Sequence, residues 1–277
     1  MKNGIYLVAT PIGNIADITL RALDVLKNVD IIACEDTRVT KKLMTLLNLS
    51  IKDKKFVMLH DHNEADCAKI VVDLAKEGKS VAYVSDAGSP LISDPGFKLA
   101  RKAKENGVYL TTIPGACAAI CALQISGLPS NAFMFCGFIP NKEKARRDFL
   151  LKNKNVEATL IFYERADRVL KTLSVMAEVW PEREVAVARE ITKVYEECQN
   201  GKAKDLIDYY TSNDIKGEVV IMVSGDTTDD EKIDYTRELK AELSVGNLKM
   251  AVKKMVEKYH LNRNDVYQKA LELKNNG

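Results

Sequence analysis

Several features that mark large protein classes are missing from this 277-residue sequence. No apolar run approaches the roughly 20 residues that a membrane-spanning helix needs, so we expect no membrane association. The chain opens directly on the strand-like stretch GIYLVA, without a leader-like segment, which favours a cytoplasmic location. Its six cysteines form no C-x-x-C pair and mostly lie in apolar stretches. We therefore expect reduced, mostly buried thiols rather than zinc ligands.

Two nucleotide-binding motifs are also absent. The sequence contains neither G-x-G-x-x-G nor G-x-x-x-x-G-K-[ST], which argues against Rossmann dinucleotide sites and P-loop sites. Histidine is scarce, with three residues in the chain. His60 and His62 have H-x-H spacing, but no cysteine or carboxylate stands where it would complete a ligand set. We therefore expect no metal centre.

Strong net charge is missing as well, but the charge is unevenly distributed. The formal net charge is +2. Residues 236–277 hold nine Lys/Arg and five Asp/Glu, an excess of four positive charges, so the rest of the chain carries a net charge of −2. A near-neutral body with a basic tail suggests a polyanionic partner, although a solvated helix surface would explain the tail equally well.

The first half of the chain alternates strand-like and helix-like patterns. Between the apolar runs lie helical patterns such as Ile70, Val71 and Leu74, which follow a possible N-cap at Asn63. Such alternation, with nearly continuous apolar strands, predicts a largely parallel sheet covered by helices on both faces. The predicted strands are 5–9, 30–34, 55–59, 80–84 and 108–113.

The second half has a different pattern. The runs EVAVARE and KVYEECQ are close enough to predict an antiparallel hairpin, and therefore a mixed sheet. The tail reads as three short helices with a helix-turn-helix-like spacing, in which Asn262 or Asn264 caps the last helix. The predicted domains are 1–118, 119–228 and 229–277.

Two loops that follow predicted strands are rich in glycine and proline. ATPIGN (9–14) follows the first strand, and SDAGSPLISDPG (85–96) follows the fourth. Ligands of open α/β sheets gather at the carboxyl ends of the strands, where glycine allows close backbone approach and proline fixes the loop. A plain strand-to-helix connection, with Asp94 capping the next helix, remains the alternative.

Eight motifs follow one another along the chain: IYLVATPIGNIADITLRALDVL, CEDTR, HNE, SDAGSPLISDPG, IPGACAAICALQISGLPS, FCGFIP, LIFYE and REITKVYEE. In this order they resemble those of the tetrapyrrole methylase superfamily, and most closely those of its ribosomal branch. The resemblance covers roughly residues 4–225. In one place the branch usually has YESPHR and this chain has YERADR, so Asp167 replaces a histidine, and no role of that histidine transfers here.

This resemblance implies two α/β domains with the cofactor cleft between them, plus a small C-terminal helical module. It implies an S-adenosylmethionine-dependent enzyme that methylates the ribose 2′-hydroxyl of a cytidine in the decoding region of 16S rRNA, within the small ribosomal subunit, and that forms a homodimer. The cofactor-binding residues that it implies are Ile12, Asp86, Ala87, Gly88, Ser89, Ala116, Cys117, Tyr163, Ala188 and Glu218.

The catalytic and substrate-binding residues are hypotheses drawn from charge and position. Candidate bases for the ribose hydroxyl are Asp36, Glu35 and Glu164, which end predicted strands; ion pairs with Arg38 and Arg168 are the alternative for these carboxylates. Side chains expected to contact RNA are Arg38, Lys41, Lys42, His62, Asn63, Arg168, Lys249, Lys253 and Lys254.

Two other functions fit the same motifs. One is a methylase of the same fold that acts on a corrin precursor or on a protein histidine derivative. The other is a non-catalytic RNA-binding or ribosome-assembly factor. The basic tail favours ribosomal RNA over a corrin, and cofactor binding would distinguish an enzyme from a binding factor.

Overall fold

The computed structural model describes residues 1–52, 54–59, 64–226, 235–259 and 263–275. The chain divides into two compact units, Met1–Asp226 and Thr227–Gly277. The strands of the first unit form two five-stranded sheets. The further division of this unit at residue 118 stays a prediction.

The first sheet is parallel throughout, with strand order β3-β2-β4-β1-β5. Alternate strand residues face opposite layers of helices: Val81 and Tyr83 pack into one apolar cluster, and Ala82 and Val84 into another. The prediction of a parallel sheet covered on both faces is therefore confirmed. Its elements are β1 (Gly4–Val8), α1 (Leu20–Asn28), β2 (Ile31–Cys34), α2 (Thr37–Leu46), β3 (Lys55–Met58), α3 (Glu64–Lys76), β4 (Ser80–Val84), α4 (Phe97–Glu105) and β5 (Leu110–Ile113).

The second sheet is mixed, with strand order β6-β7-β10-β8-β9. The predicted hairpin is confirmed, since β8 and β9 pair antiparallel, but β9 begins at Glu197 rather than at Lys193. The elements are α5 (Ala118–Ser126), β6 (Phe133–Phe138), α6 (Glu143–Lys152), β7 (Thr159–Arg165), α7 (Val169–Val179), β8 (Glu184–Arg189), β9 (Glu197–Lys202), α8 (Ala203–Ser212) and β10 (Glu218–Val223).

Two details of the first unit differ from the prediction. Ile70 is 49% exposed, because α3 packs through Cys67, Ala68 and Val71 on its other face. The N-cap position of α4 is occupied by Gly96, not by Asp94. The carboxylate of Glu64 accepts hydrogen bonds from the backbone N–H groups of Gly96 and Lys98, at 2.9 and 2.8 Å. Glu64, which is distant in sequence, therefore provides acceptors for N–H groups that have no partner within the first turn of α4.

The second unit contains the three predicted helices, α9 (Thr236–Val245), α10 (Leu248–Tyr259) and α11 (Arg263–Asn275). They bury one small apolar cluster that includes Leu239, Met255 and Val266. The predicted caps Asn262 and Asn264, like the cap Asn63 of α3, fall where the structure describes no side chain. Within the described residues, no helix is both long and apolar enough to cross a bilayer.

Candidate active site

A cleft of about 980 Å³ opens in the first unit. Its walls come from the loops after β1, β2 and β4, from the start of α5, and from β7, β10 and the residues around them. Parallel strands place the loops at their carboxyl ends along one edge of the sheet, which is why residues distant in sequence meet here. Ten of the predicted residues line the cleft, namely Ile12, Glu35, Asp86, Ala87, Gly88, Ser89, Cys117, Tyr163, Glu164 and Glu218.

The two glycine-rich loops are joined by their backbones. Thr10 and Gly88 exchange two N–H···O hydrogen bonds, at 2.9 and 3.1 Å. The Ser89 hydroxyl donates to the Ala116 carbonyl at 3.0 Å, which connects the second loop to the start of α5. Gly88 has a φ of +80°, and a Cβ there would lie 3.3 Å from Ile12 Cγ2. The position therefore suits glycine both in conformation and in space.

Residues 85–96 form a fixed loop rather than a slack connection. The buried Tyr83 hydroxyl donates to the Pro95 carbonyl at 2.8 Å. Leu91 and Ser93 hold positive φ values of 72° and 63°, and Gly96 has a φ of 123°. A Cβ on Gly96 would lie 2.7 Å from Tyr83 Cε1. A ligand in the cleft therefore meets a backbone surface whose shape is set before binding.

The start of α5 forms another wall of the cleft. Gly115 packs so closely on Ala9 that a Cβ would come within 2.9 Å of the alanine Cβ. Cys117 is at the N-cap position without a side-chain capping bond, so a ligand can reach amides of the first turn. The Ala119 amide donates to the Tyr163 hydroxyl at 3.3 Å. Burial raises the pKa of Tyr163, so this phenol stays protonated at neutral pH.

The lining of the cleft is rich in carboxylates. Glu164, Asp167, Asp214 and Glu218 form ion pairs with Arg168, Arg165, Lys216 and Lys193, respectively. Burial raises the pKa of Asp86, although its carboxylate accepts the Asp36 amide at 3.1 Å. Such a lining suits a cationic ligand and repels phosphate. The seven residues are Glu35, Asp86, Asp94, Glu164, Asp167, Asp214 and Glu218.

Asp36 is outside the cleft lining, at the N-cap of α2. Its carboxylate accepts the Arg38 amide at 2.8 Å and the Arg38 guanidinium at 2.7 Å. The side-chain hydrogen bond from Arg38 lowers the pKa of Asp36 to about 2. This carboxylate is therefore a weak base that is already engaged in a cap and an ion pair.

Glu164 lines the cleft but is fully enclosed. Its side chain is 0% exposed and forms an ion pair with Arg168, which is itself 13% exposed. It also accepts the Thr172 hydroxyl and the Arg165 amide, each at 2.8 Å. These partners favour a structural role for Glu164 and leave Arg168 little surface for RNA.

The remaining predicted cofactor residues differ in what they present to the cleft. Ala188 is fully buried within β8, in the apolar cluster against α5. Ala116 contributes the carbonyl that Ser89 binds. The Glu218 side chain is 79% exposed and pairs with Lys193 at 2.8 Å, while its amide donates to Glu190 at 3.0 Å.

The predicted RNA-contacting residues of the first unit are on α2. Arg38 is 89% exposed beyond its pair with Asp36. Lys41 and Lys42 are exposed, and the Lys41 ammonium lies 5.0 Å from the centre of the Phe56 ring. His60, His62 and Asn63 lie outside the described residues.

The tail lysines divide into paired and unpaired groups. Lys253 pairs with Glu257 and Lys254 with Glu242, whereas Lys249 forms no ion pair among the described residues. Sequence reasoning missed Lys240 and Lys274. They flank a groove of about 370 Å³ in the second unit, together with Asn247, Leu243 and Leu273.

Sequence reasoning also missed cleft residues in the second half of the first unit. Phe138, Arg165 and the segment 214–217 all line the cleft. The signal for the segment was available, since Asp-Ile-Lys-Gly directly precedes a strand-like run and its glycine has a φ of +85°. Such a glycine marks a turn in which backbone approaches another group closely.

Comparisons with known proteins agree on one family. Residues 4–207 match the model of the tetrapyrrole (corrin/porphyrin) methylases. The chain is 47% identical to the ribosomal RNA small subunit methyltransferase I of Erythrobacter litoralis, over 99% of this chain and 96% of that one. It is 45% identical to the protein of the same name from Vibrio cholerae, over 97% and 94% of the two chains.

Solved structures show the same fold at low sequence identity. The methyltransferase CobJ superposes with a TM-score of 0.60 at 18% identity, over 82% of this chain and 96% of that one. A uroporphyrin-III C-methyltransferase from Thermus thermophilus, complexed with S-adenyl homocysteine, gives a TM-score of 0.53 at 16% identity, over 80% and 97%.

Proposed function

Because the chain belongs to the tetrapyrrole methylase family, we propose that it transfers a methyl group from S-adenosylmethionine to ribosomal RNA of the small subunit. We propose further that the acceptor is the ribose 2′-hydroxyl of a cytidine in the decoding region of 16S rRNA. The cleft of the first unit carries the proposal, since it combines a fixed backbone wall with a carboxylate-rich lining. Such an enzyme works where ribosomal subunits are, in the cytoplasm; a homodimer stays a prediction.

The residues of the cleft fit the cofactor. S-adenosylmethionine, when bound, supplies a methyl group on a positively charged sulfur. The carboxylate of Asp86 and the other acidic side chains of the lining favour that positive charge. Gly88 leaves room beside the backbone, and Ser89 holds the neighbouring Ala116 carbonyl in place. No phosphate-binding motif is needed, because this cofactor has no phosphate.

Catalysis then depends mainly on placing the ribose hydroxyl in line with the methyl carbon and excluding water. Orientation of two reactants is worth up to about 7–11 kcal/mol of activation free energy. A carboxylate that accepts the hydroxyl proton would add roughly 10²- to 10⁴-fold. Of the three proposed bases we favour Glu35 for its position and exposure: it is half-buried in the cleft lining, whereas Asp36 lies outside the lining and the Glu164 side chain is 0% exposed.

The RNA backbone needs contacts outside this acidic cleft. Lys41 and Lys42, exposed cations on α2, are proposed to bind phosphates of the substrate. Arg38 is exposed as well, but its pair with Asp36 leaves it less net charge for a phosphate. In the second unit we propose Lys249, Lys240 and Lys274 for the same role, since the two lysines of the groove lie on its rim without an ion pair among the described residues.

Two alternatives are less well supported. A corrin-type substrate draws on the resemblance to CobJ, but a likeness at 18% identity extends to the fold alone. The relatives named for ribosomal RNA match at 45–47% identity across nearly the whole chain, the helical tail included. A non-catalytic assembly factor would have no use for a cleft shaped for the cofactor.

The direct test is transfer of radiolabelled methyl groups to small ribosomal subunits that lack this modification. Naked 16S rRNA and a sample without RNA serve as comparisons. Label mapped to one ribose 2′-oxygen supports both the reaction and the position. Tight cofactor binding without labelled RNA would point to another acceptor, and failure to bind the cofactor would overturn the enzymatic proposal altogether.

A further inference from the structure

The loop of residues 190–196, here called the β8–β9 loop, exposes two apolar side chains. Val194 is 93% exposed and Tyr195 is 73% exposed. Single exposed apolar residues are ordinary, but two adjacent ones in a loop beside the cleft indicate a surface that binds another molecule.

The β8–β9 loop is held rigidly. The Lys193 amide donates to the Glu190 carbonyl at 3.0 Å, and the Glu196 amide donates to the Lys193 carbonyl at 3.1 Å. The Glu196 carboxylate accepts the Thr192 amide at 2.6 Å. The Lys193 ammonium binds Glu190 at 2.9 Å and Glu218 at 2.8 Å. The two exposed side chains are therefore presented in a fixed place rather than on a loose tip.

This loop is also strained. Glu190 and Thr192 have positive φ values of 49° and 69°, which is an outlier for a β-branched threonine. The Thr192 hydroxyl is buried and makes no hydrogen bond among the described residues. Conformations of this kind persist where the surrounding structure enforces them, and they concentrate at functional sites.

The β8–β9 loop borders the cleft directly. Ile191 at its base lines the cleft, and so does Glu218, the partner of Lys193. Gly13, from the loop after β1, packs so closely that a Cβ would lie 2.5 Å from Lys193 Cγ. The exposed pair Val194 and Tyr195 therefore follows a residue that lines the cleft by three and four positions.

We propose that Tyr195, flanked by Val194, is a stacking platform for a base of the substrate RNA next to the methylated nucleotide. This inference rests on the proposed function. The carboxylates of the cleft repel phosphate, so RNA held at its mouth needs uncharged contacts, and an exposed aromatic ring offers its face to any unstacked base. A second copy of the chain is the alternative occupant, and the oligomeric state of the Tyr195→Ala variant tests it.

The test is steady-state methyl transfer to small ribosomal subunits by the full-length Tyr195→Ala variant. Loss of one stacked base should raise the KM for the subunits by about 5- to 150-fold, leaving the Kd for S-adenosylmethionine and the thermal unfolding temperature unchanged. Tyr195→Phe and Tyr195→Trp keep the ring and should restore the KM. The control is Phe133→Ala, which removes an exposed aromatic ring from the end of β6 opposite Phe138 and the cleft and should leave KM unaltered.

Three results would overturn the platform. One is an unchanged KM in Tyr195→Ala. Another is an equal loss in Tyr195→Phe, which would assign the effect to the hydroxyl. The third is dissociation of an oligomer by Tyr195→Ala in sedimentation equilibrium, which would make a second copy the occupant. A wild-type protein that methylates no RNA refutes the proposed function, whereas an active wild type with an equally active Tyr195→Ala refutes the platform alone.

Discussion

Three carboxylates at strand ends, Asp36, Glu35 and Glu164, look equivalent in the sequence, and their surroundings separate them. Arg38 follows Asp36 by two residues and Arg168 follows Glu164 by four, and this closeness in sequence is why ion pairs were the alternative for these carboxylates. Burial could not be anticipated in this way. Only the folded chain shows that Glu164 is fully enclosed and that Asp36 caps a helix at the surface.

Replacement of Glu164 by alanine should cost stability. It leaves the largely buried Arg168 guanidinium without its carboxylate and the Thr172 hydroxyl without its acceptor. Breaking a buried pair by removing one partner costs about 3–5 kcal/mol. Urea denaturation should show this loss of unfolding free energy in Glu164→Ala. In the matched variant Asp167→Ala, whose partner Arg165 is exposed, the free energy of unfolding should not change measurably. A Glu164→Ala protein of normal stability that transfers no methyl groups would instead argue for Glu164 as the base.

At the scale of elements, the loop of residues 85–96 was predicted to be fixed, and the reason for its rigidity is structural. Tyr83, on the strand before the loop, holds Pro95, while Thr10 and Ala116, which follow other strands, hold Gly88 and Ser89. The left-handed conformations of Leu91 and Ser93 could not be foreseen, since neither residue type favours them.

A comparison of Gly88, in this loop, with Gly107, outside it, separates the conformational strain of an added side chain from an effect on cofactor binding. Both have positive φ, +80° and +64°, but Gly88 lines the cleft, whereas an added Cβ on Gly107 would meet nothing within 4 Å. Alanine at either position should lower the unfolding free energy by about 1–2 kcal/mol. Only Gly88→Ala should also weaken the binding of S-adenosylmethionine, with a Kd raised roughly tenfold, because the new methyl group presses on Ile12. Calorimetric titration measures the Kd; equal affinities in the two variants would exclude the loop from the cofactor site.

Sequence patterns predicted the strands well because the strand residues themselves carry the signal. The strand β4 was predicted at 80–84 and occupies Ser80–Val84. The start of β9 was misplaced because Lys193, Val194 and Tyr195 look like strand residues, whereas the hydrogen bonds of Lys193 to Glu190 and Glu218 hold them in a loop. The alternative interpretation of the loop made nearby Asp94 the cap of α4, whereas Glu64, 32 residues before Gly96, accepts the hydrogen bonds of the first amides.

At the scale of the whole molecule, the sequence shows the uneven distribution of charge, but it does not show which lysines are engaged in ion pairs and which are available to bind RNA. The basic excess of residues 236–277 counts every lysine equally. In the folded unit Lys254 and Lys258 are engaged with Glu242 and Glu238. A pair of this kind offers little net charge to a polyanion, so a count of residues misplaces the binding surface.

The pairing pattern predicts which lysines contribute to RNA affinity. Lys240→Gln combined with Lys274→Gln removes two cations from the rim of the groove. Lys254→Gln combined with Lys258→Gln removes the same net charge from ion pairs. Binding of the full-length protein to small ribosomal subunits, measured across salt concentrations, should weaken in the first variant. Its log–log salt slope should also fall by about one for each lost phosphate contact. The second variant should bind like the wild type. An equal loss in both would mean that RNA responds to the net charge of the unit alone, and the groove would then have no special part in substrate binding.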